Sequence, residues 1–107
     1  MYFFYIWAIQ RNMELKYNNT TLKNLQQLFK ESEYSVRYER GQFKSGYCII
    51  HNKKIIVINK FFDIKGKIES FLDILSQVNL QETLLTERSK NFLVVVANSY
   101  EPRNLVA

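Results

Sequence analysis

The chain has 107 residues, 47% of them apolar and 15% aromatic, with fifteen Lys or Arg against ten Asp or Glu for a formal charge of +5. That length supports one domain around one core and is too short for two of full size, while the apolar content argues against a disordered chain. A single cysteine, Cys48, excludes an internal disulfide and a thiolate zinc cluster, and it points to a cytoplasmic setting.

The opening residues, MYFFYIWAI, are strongly apolar but fall well short of the roughly 20 residues that span a bilayer. They have no basic segment ahead of the apolar run and no small-residue cleavage site, so they do not read as a secretory signal. Two readings stand. Residues 1–12 are an extension ahead of a start at Met13, or they are an aromatic-rich strand that pairs with another apolar segment such as FLVVVA at 92–97. The organisation expected is an extension over 1–12, one domain over 13–97 and a tail over 98–107.

From Thr20 to about Ser32, Leu22, Leu25, Leu28 and Phe29 line one helical face, and Asn19, Thr20 and Thr21 offer capping oxygens. Tyr34, Val36 and Tyr38 then alternate with Ser35, Arg37 and Glu39, the period of two of a half-wetted strand that Gly41 ends. Residues 43–51 and 55–60, rich in β-branched and aromatic side chains, flank the polar stretch 51–54 and read as a hairpin. The run Ile55-Ile56-Val57-Ile58 is apolar on both faces, which predicts a central strand with helix on one side and something else on the other.

A second helix follows Asp63, its natural cap, with Ile64, Ile68, Phe71, Leu72, Leu75 and Val78 turned inward. Glu69, Asp73 and Gln77 lie opposite. A third helix is expected over about Gln81 to Asn91. The fold class is therefore α+β: an N-terminal helix, a small three-stranded and largely antiparallel sheet, then two helices.

The stretches LKNLQQLFKESEYSVRYERG, SGYCII and KKIIVINKFFDIKGKIESFLDIL, in this order, resemble the core of the ImmA/IrrE type of zinc metallopeptidase. The points of likeness are Val36-Arg37-Tyr38-Glu39, Gly46-Tyr47 and Ile58-Asn59, within roughly residues 22–80. The chain is similar also to small proteins of unassigned function that share an SGYC…VINKFF pattern. The resemblance implies a metal-binding second helix bearing H-E-x-x-H, in which histidines four apart share one zinc and the glutamate activates its water. Aligned from Ile58-Asn59, that motif falls on Asp73-Ile74-Leu75-Ser76-Gln77, and a shift of one residue places it on Leu72-Asp73-Ile74-Leu75-Ser76. Neither register holds a histidine. Glu82 and Glu87, where the third ligand of the family would fall, read as solvated charges without the other two.

The residue inventory narrows the chemistry further. His51 is the only histidine, at the expected hairpin tip, and a spacing of three along a strand points it away from Cys48. Cys48 accordingly reads as a small buried apolar residue and His51 as a solvated turn residue. The three glycines stand apart and make no phosphate loop. No catalytic residue, metal ligand or cofactor site is expected.

The positive charge gathers between residues 34 and 67, where Arg37, Arg40, Lys44, Lys53, Lys54, Lys60, Lys65 and Lys67 face only Glu39 and Asp63. The expectation is a non-catalytic cytoplasmic domain that binds another protein, its identity open, with self-association as a further possibility. The alternative is a nucleic-acid-binding module using Arg37, Arg40, Lys44, Lys53, Lys54 and Lys60, with Tyr34, Tyr38, Phe43 and Tyr47 as stacking surfaces.

Overall fold

The computed structural model describes residues 15–99. Residues 1–12 and 100–107, the expected extension and most of the expected tail, lie outside the described residues. The element order is α1 (Asn19–Glu31), β1 (Tyr34–Glu39), β2 (Gly46–Ile50), β3 (Lys53–Asn59), α2 (Ile64–Leu75), a 3-10 turn (Glu82–Leu84) and α3 (Glu87–Ser99). This is the expected α+β succession.

The first helix begins one residue earlier than its apolar spacing suggests. Asn18 caps it, with Oδ1 accepting the Thr21 N–H at 2.9 Å. One face then carries Leu22, Leu25, Leu28 and Phe29 into the core. Asp63 caps α2 as expected, its Oδ1 accepting the Gly66 N–H at 2.8 Å. Gly66 has no Cβ because one would stand 3.1 Å from Phe62 Cβ and 3.2 Å from that same oxygen.

The sheet order is β1-β3-β2, with β3 in the middle as its continuous apolar run requires. β2 and β3 pair antiparallel across a two-residue turn, His51-Asn52, whose φ angles of 50° and 65° match the twist-compatible hairpin turn. β1, however, runs parallel to β3, with Tyr34 opposite Lys54 and Glu39 opposite Asn59. The sheet is mixed rather than largely antiparallel. The chain reverses once through residues 40–45 and again at the hairpin, so β3 returns in the direction of β1 and slots between its two neighbours.

Partners in register point to one face, so Tyr34, Val36, Tyr38, Tyr47, Ile49, Ile56 and Ile58 share a side. The helices cover that side over β1 and β3, where Leu25, Phe29, Ile68, Phe71, Leu72 and Val96 form a single core with Tyr34, Ile56 and Ile58, and leave Tyr47 and Ile49 of β2 exposed. Phe29 sits at its centre, edge-on to Tyr34 at 5.6 Å and stacked with Phe71 at 5.7 Å. In α2 the buried stripe is Ile68, Phe71, Leu72 and Ile74, while Ile64 is exposed and Leu75 half-buried. The inward face has turned toward Ile74, because α2 meets both the sheet and α1.

The last helix departs most from expectation. It spans Glu87–Ser99 instead of 81–91, so the FLVVVA stretch is helical and not a strand open to pairing with the N-terminal residues. Thr86 starts it, its Oγ1 accepting the Ser89 N–H at 3.2 Å and its carbonyl accepting the Lys90 N–H at 2.9 Å. Burial of Val94 and Val96 outweighs the β preference of three consecutive valines. Among the described residues no helix is long and apolar enough to cross a membrane.

Candidate interaction surface

The opposite face of the sheet is where the open space lies. Register places Ser35, Arg37 and Glu39 of β1, Ile55 and Val57 of β3, and Gly46, Cys48 and Ile50 of β2 on it. None of these residues belongs to the core, and Ile55 and Val57 remain half-buried even on the central strand. Helix covers one side of β3, as expected; the other is uncovered among the described residues.

β2 is the edge of that face and is exposed along almost its whole length. Ile49 is 64% and Ile50 51% exposed, and Tyr47 and Cys48 are exposed beside them. Cys48 therefore does not occupy the buried position its sequence suggested. Its side chain points to the uncovered face, and an edge strand has no second neighbour to enclose it. His51 lies exposed in the turn, as expected.

The far end of β3 is built around one buried amide. Asn59, 4% exposed, donates from Nδ2 to the carbonyls of Gly41 at 3.0 Å and Phe43 at 2.8 Å, and its Oδ1 accepts the Phe61 N–H at 3.0 Å. Its own N–H donates to Ser45 Oγ at 2.9 Å. The next residue continues toward β1, the Lys60 N–H donating to the Glu39 carbonyl at 2.8 Å. Asn59 thus ties the loop from β1 into the start of β2 and delivers β2 to its edge position. Gly41 makes that loop possible, with a φ of 150° that a residue bearing a side chain rarely adopts.

The cations named in the sequence are divided by this frame. Arg40, Lys44 and Lys60 lie at the end where β1 and β3 finish, near the exposed Phe61. Lys53 and Lys54 stand at the hairpin end, about 20 Å away at the usual rise of an extended strand. Arg37 points to the open face and pairs with Glu39 at 3.8 Å, both well exposed. Lys54 points to the helical side, with its ammonium 5.3 Å from the centre of the Tyr34 ring.

The tyrosines do not join the cations on the open face. Tyr34 is buried, Tyr38 half-buried, and both belong with Tyr47 to the side the helices cover. Burial raises the Tyr34 phenol above its usual 10, with Tyr47 adding to the effect, and burial alone raises that of Tyr38. The open face is polar along β1, with Ser35, Arg37 and Glu39, and aliphatic along β3 and β2, with Ile55, Val57 and Ile50 around Cys48.

At the helix expected to carry the peptidase ligands, Asp73 and Gln77 are exposed, as helical phase predicts, and α2 has ended at Leu75 before Gln77. Glu82 and Glu87 are exposed as well. No group of three His, Cys, Asp or Glu among the described residues converges on a common point.

One carboxylate does hold a defined position that the sequence did not reveal. Glu31, at the end of α1, accepts the Thr86 N–H at 2.9 Å and the Gln27 amide at 2.9 Å, and it closes the entry to α3. Partial burial pushes its pKa up, but the hydrogen bonds from the Thr86 backbone, Gln27, Ser89 and the Thr86 hydroxyl together bring it below the ordinary 4.5. A cavity of about 350 Å³ beside it is lined by Lys23, Asn24, Gln27, Arg88 and Phe92 among others. No protein-family profile, curated protein or solved structure matches the chain.

Proposed function

We propose that this chain is a non-catalytic, cytoplasmic protein-interaction module, a reduced relative of the metallopeptidase core that keeps its strand and helix frame without its ligand residues. The observation that carries the reading is the face of the sheet that no described residue covers, where Ile50, Ile55 and Val57 run out to an exposed apolar edge at β2. Isolated exposed side chains are ordinary, but an aliphatic strip continuous with a free strand edge is a surface that association would cover. Cys48 is an exposed free cysteine in the middle of it.

Nucleic acid is the weaker reading on this geometry. Single strands are held by aromatic platforms beside cations, whereas here Tyr34, Tyr38 and Tyr47 lie on the helical side and no aromatic side chain of the strands shares the open face with Arg37. A benzophenone maleimide on Cys48, irradiated in native extract with and without nuclease, separates the two. A discrete adduct that survives nuclease and is lost when Ile50 and Val57 are both changed to Asp supports a protein partner. Adducts that vanish with nuclease, or labelling indifferent to those substitutions, overturn the reading.

A further inference from the structure

The free edge of β2 has a polarity and a pattern of its own, which define the kind of partner segment it would take. In an antiparallel pair, residues alternate between those that exchange hydrogen bonds with the neighbour and those that turn their backbone groups away. The two-residue turn makes Ile50 and Lys53 the first bonded pair, so Cys48 and Gly46 also bond toward β3. The ladder confirms this phase at its other end, where the Asn59 N–H points toward the β2 side and reaches Ser45, while the Lys60 N–H points to β1. By this alternation the N–H and C=O groups of Tyr47 and Ile49 point outward. Among the described residues β2 has a strand neighbour on β3 alone.

Edges of this kind are ordinarily blunted by a charge within the strand, by proline or by a bulge. β2, GYCII, has none of these. The chain on either side of it carries a single sign: residues 40–62 contain Arg40, Lys44, Lys53, Lys54 and Lys60 and no Asp or Glu. Lys44 precedes the strand and Lys53 follows the turn, so cations flank the edge at both ends.

Resting on the interaction reading above, we propose that β2 binds an extended segment of another protein by strand addition, and that the segment is apolar at its centre and acidic at its flanks. The outward groups of Tyr47 and Ile49 supply the backbone ladder, and Cys48 with Ile50 receives alternate apolar side chains on the open face. Lys44 and Lys53 select acidic residues at the two ends. A second copy of this chain fits the same edge poorly, because antiparallel self-pairing would set each Lys44 against the Lys53 end of the other. Like charges so placed oppose association and favour an acidic partner.

The probes are fluorescein-labelled peptides with a Val-Thr-Val-Tyr-Val centre, flanked on both sides by Glu-Glu or by Lys-Lys, titrated against the full chain. The acidic form should bind at least about tenfold more tightly, with the advantage shrinking as salt screens the flanks. N-methylation of one alternate set of peptide amides should abolish binding, and methylation of the other set should leave it nearly intact. Ile49→Pro removes an outward N–H that the ladder does not use, and should abolish binding with the circular dichroism spectrum unchanged. Should that variant fail to fold, the N-methyl series reads the same geometry on the native chain.

Equal binding of both flanks, equal tolerance of both methylation sets, or no binding of either peptide overturns the proposal. Dimers in sedimentation that Ile49→Pro dissolves would assign the edge to a second copy, and overturn it too. In each case the broader reading stands or falls separately, on whether the Cys48 adduct still depends on Ile50 and Val57.

Discussion

The two faces of one strand make the sharpest contrast in the molecule. Ile56 and Ile58 point to the helices and are fully buried, while their neighbours Ile55 and Val57, equally apolar, point to a side that nothing described here covers. Composition does not separate the two sets. Topology does, because the three described helices lie on one side of the sheet. The difference teaches that hydrophobicity on this strand is satisfied on one side by the helices and is left without a cover on the other among the described residues.

Substitutions that test the contrast fall in a clear order. Phe29→Ala empties the centre of the covered side, removing contacts to Tyr34 and Phe71, and should cost about 3–5 kcal/mol in urea unfolding. For a small domain that is a large part of the total, so extensive unfolding at room temperature is an acceptable outcome. A Phe29→Ala protein as stable as the parent would place the core elsewhere.

Asn59→Ala comes next, since it strands two loop carbonyls and the Phe61 N–H at once. About 2–3 kcal/mol is expected from partly solvated groups of this kind. The loss should also show in hydrogen exchange as faster exchange of the β2 and β3 amides, because the buried amide holds the loop that feeds the edge strand. Unchanged protection there would mean that the edge is positioned by the hairpin alone.

Glu31 offers a smaller effect with a definite sign. Its pKa is lower in the folded chain than the ordinary 4.5, so its contribution is present above that value and is lost as pH falls through the folded one. Glu31→Gln should therefore be less stable than the parent near neutrality, and the two melting temperatures should converge on acidification. A gap that stays constant into acid would assign the effect to packing rather than charge. The smallest expected change is Ile50→Ser on the open side, within about 0.5 kcal/mol of the parent by the same urea measurement. A loss comparable to that of a core residue would show that something already covers this face.

Much of the fold was legible in the chain because local physics speaks in short periods. The recurrence of Ile68, Phe71 and Leu72, the Asp63 cap, the alternation of β1 and the solvent orientation of Asp73 all follow from spacing within one element. The parallel pairing of β1 with β3 is set instead by what lies between them, and no period records it. The third helix was displaced because Thr86, joined to Glu31 across 55 residues, starts it later than Leu84 and Leu85 alone suggest. The signal for the candidate surface was present in the unbroken run of residues 55–58, yet the exposure of Cys48, Ile49 and Ile50 depends on β2 being an edge among the described residues. Asn59 could have been suspected from its place, an amide closing an apolar strand ahead of a helix cap.

The central position of β3 also sets an order of events during synthesis. β1 leaves the ribosome before β3, the strand it pairs with among the described residues, exists, and β2 emerges with that same partner still unmade. Until residue 59 is out, the nascent chain holds a helix and two unpaired ribbons; thereafter the local hairpin can close first and then capture β1. The same arrangement that gives β2 a single strand neighbour among the described residues leaves β1 waiting for that neighbour in the newborn chain.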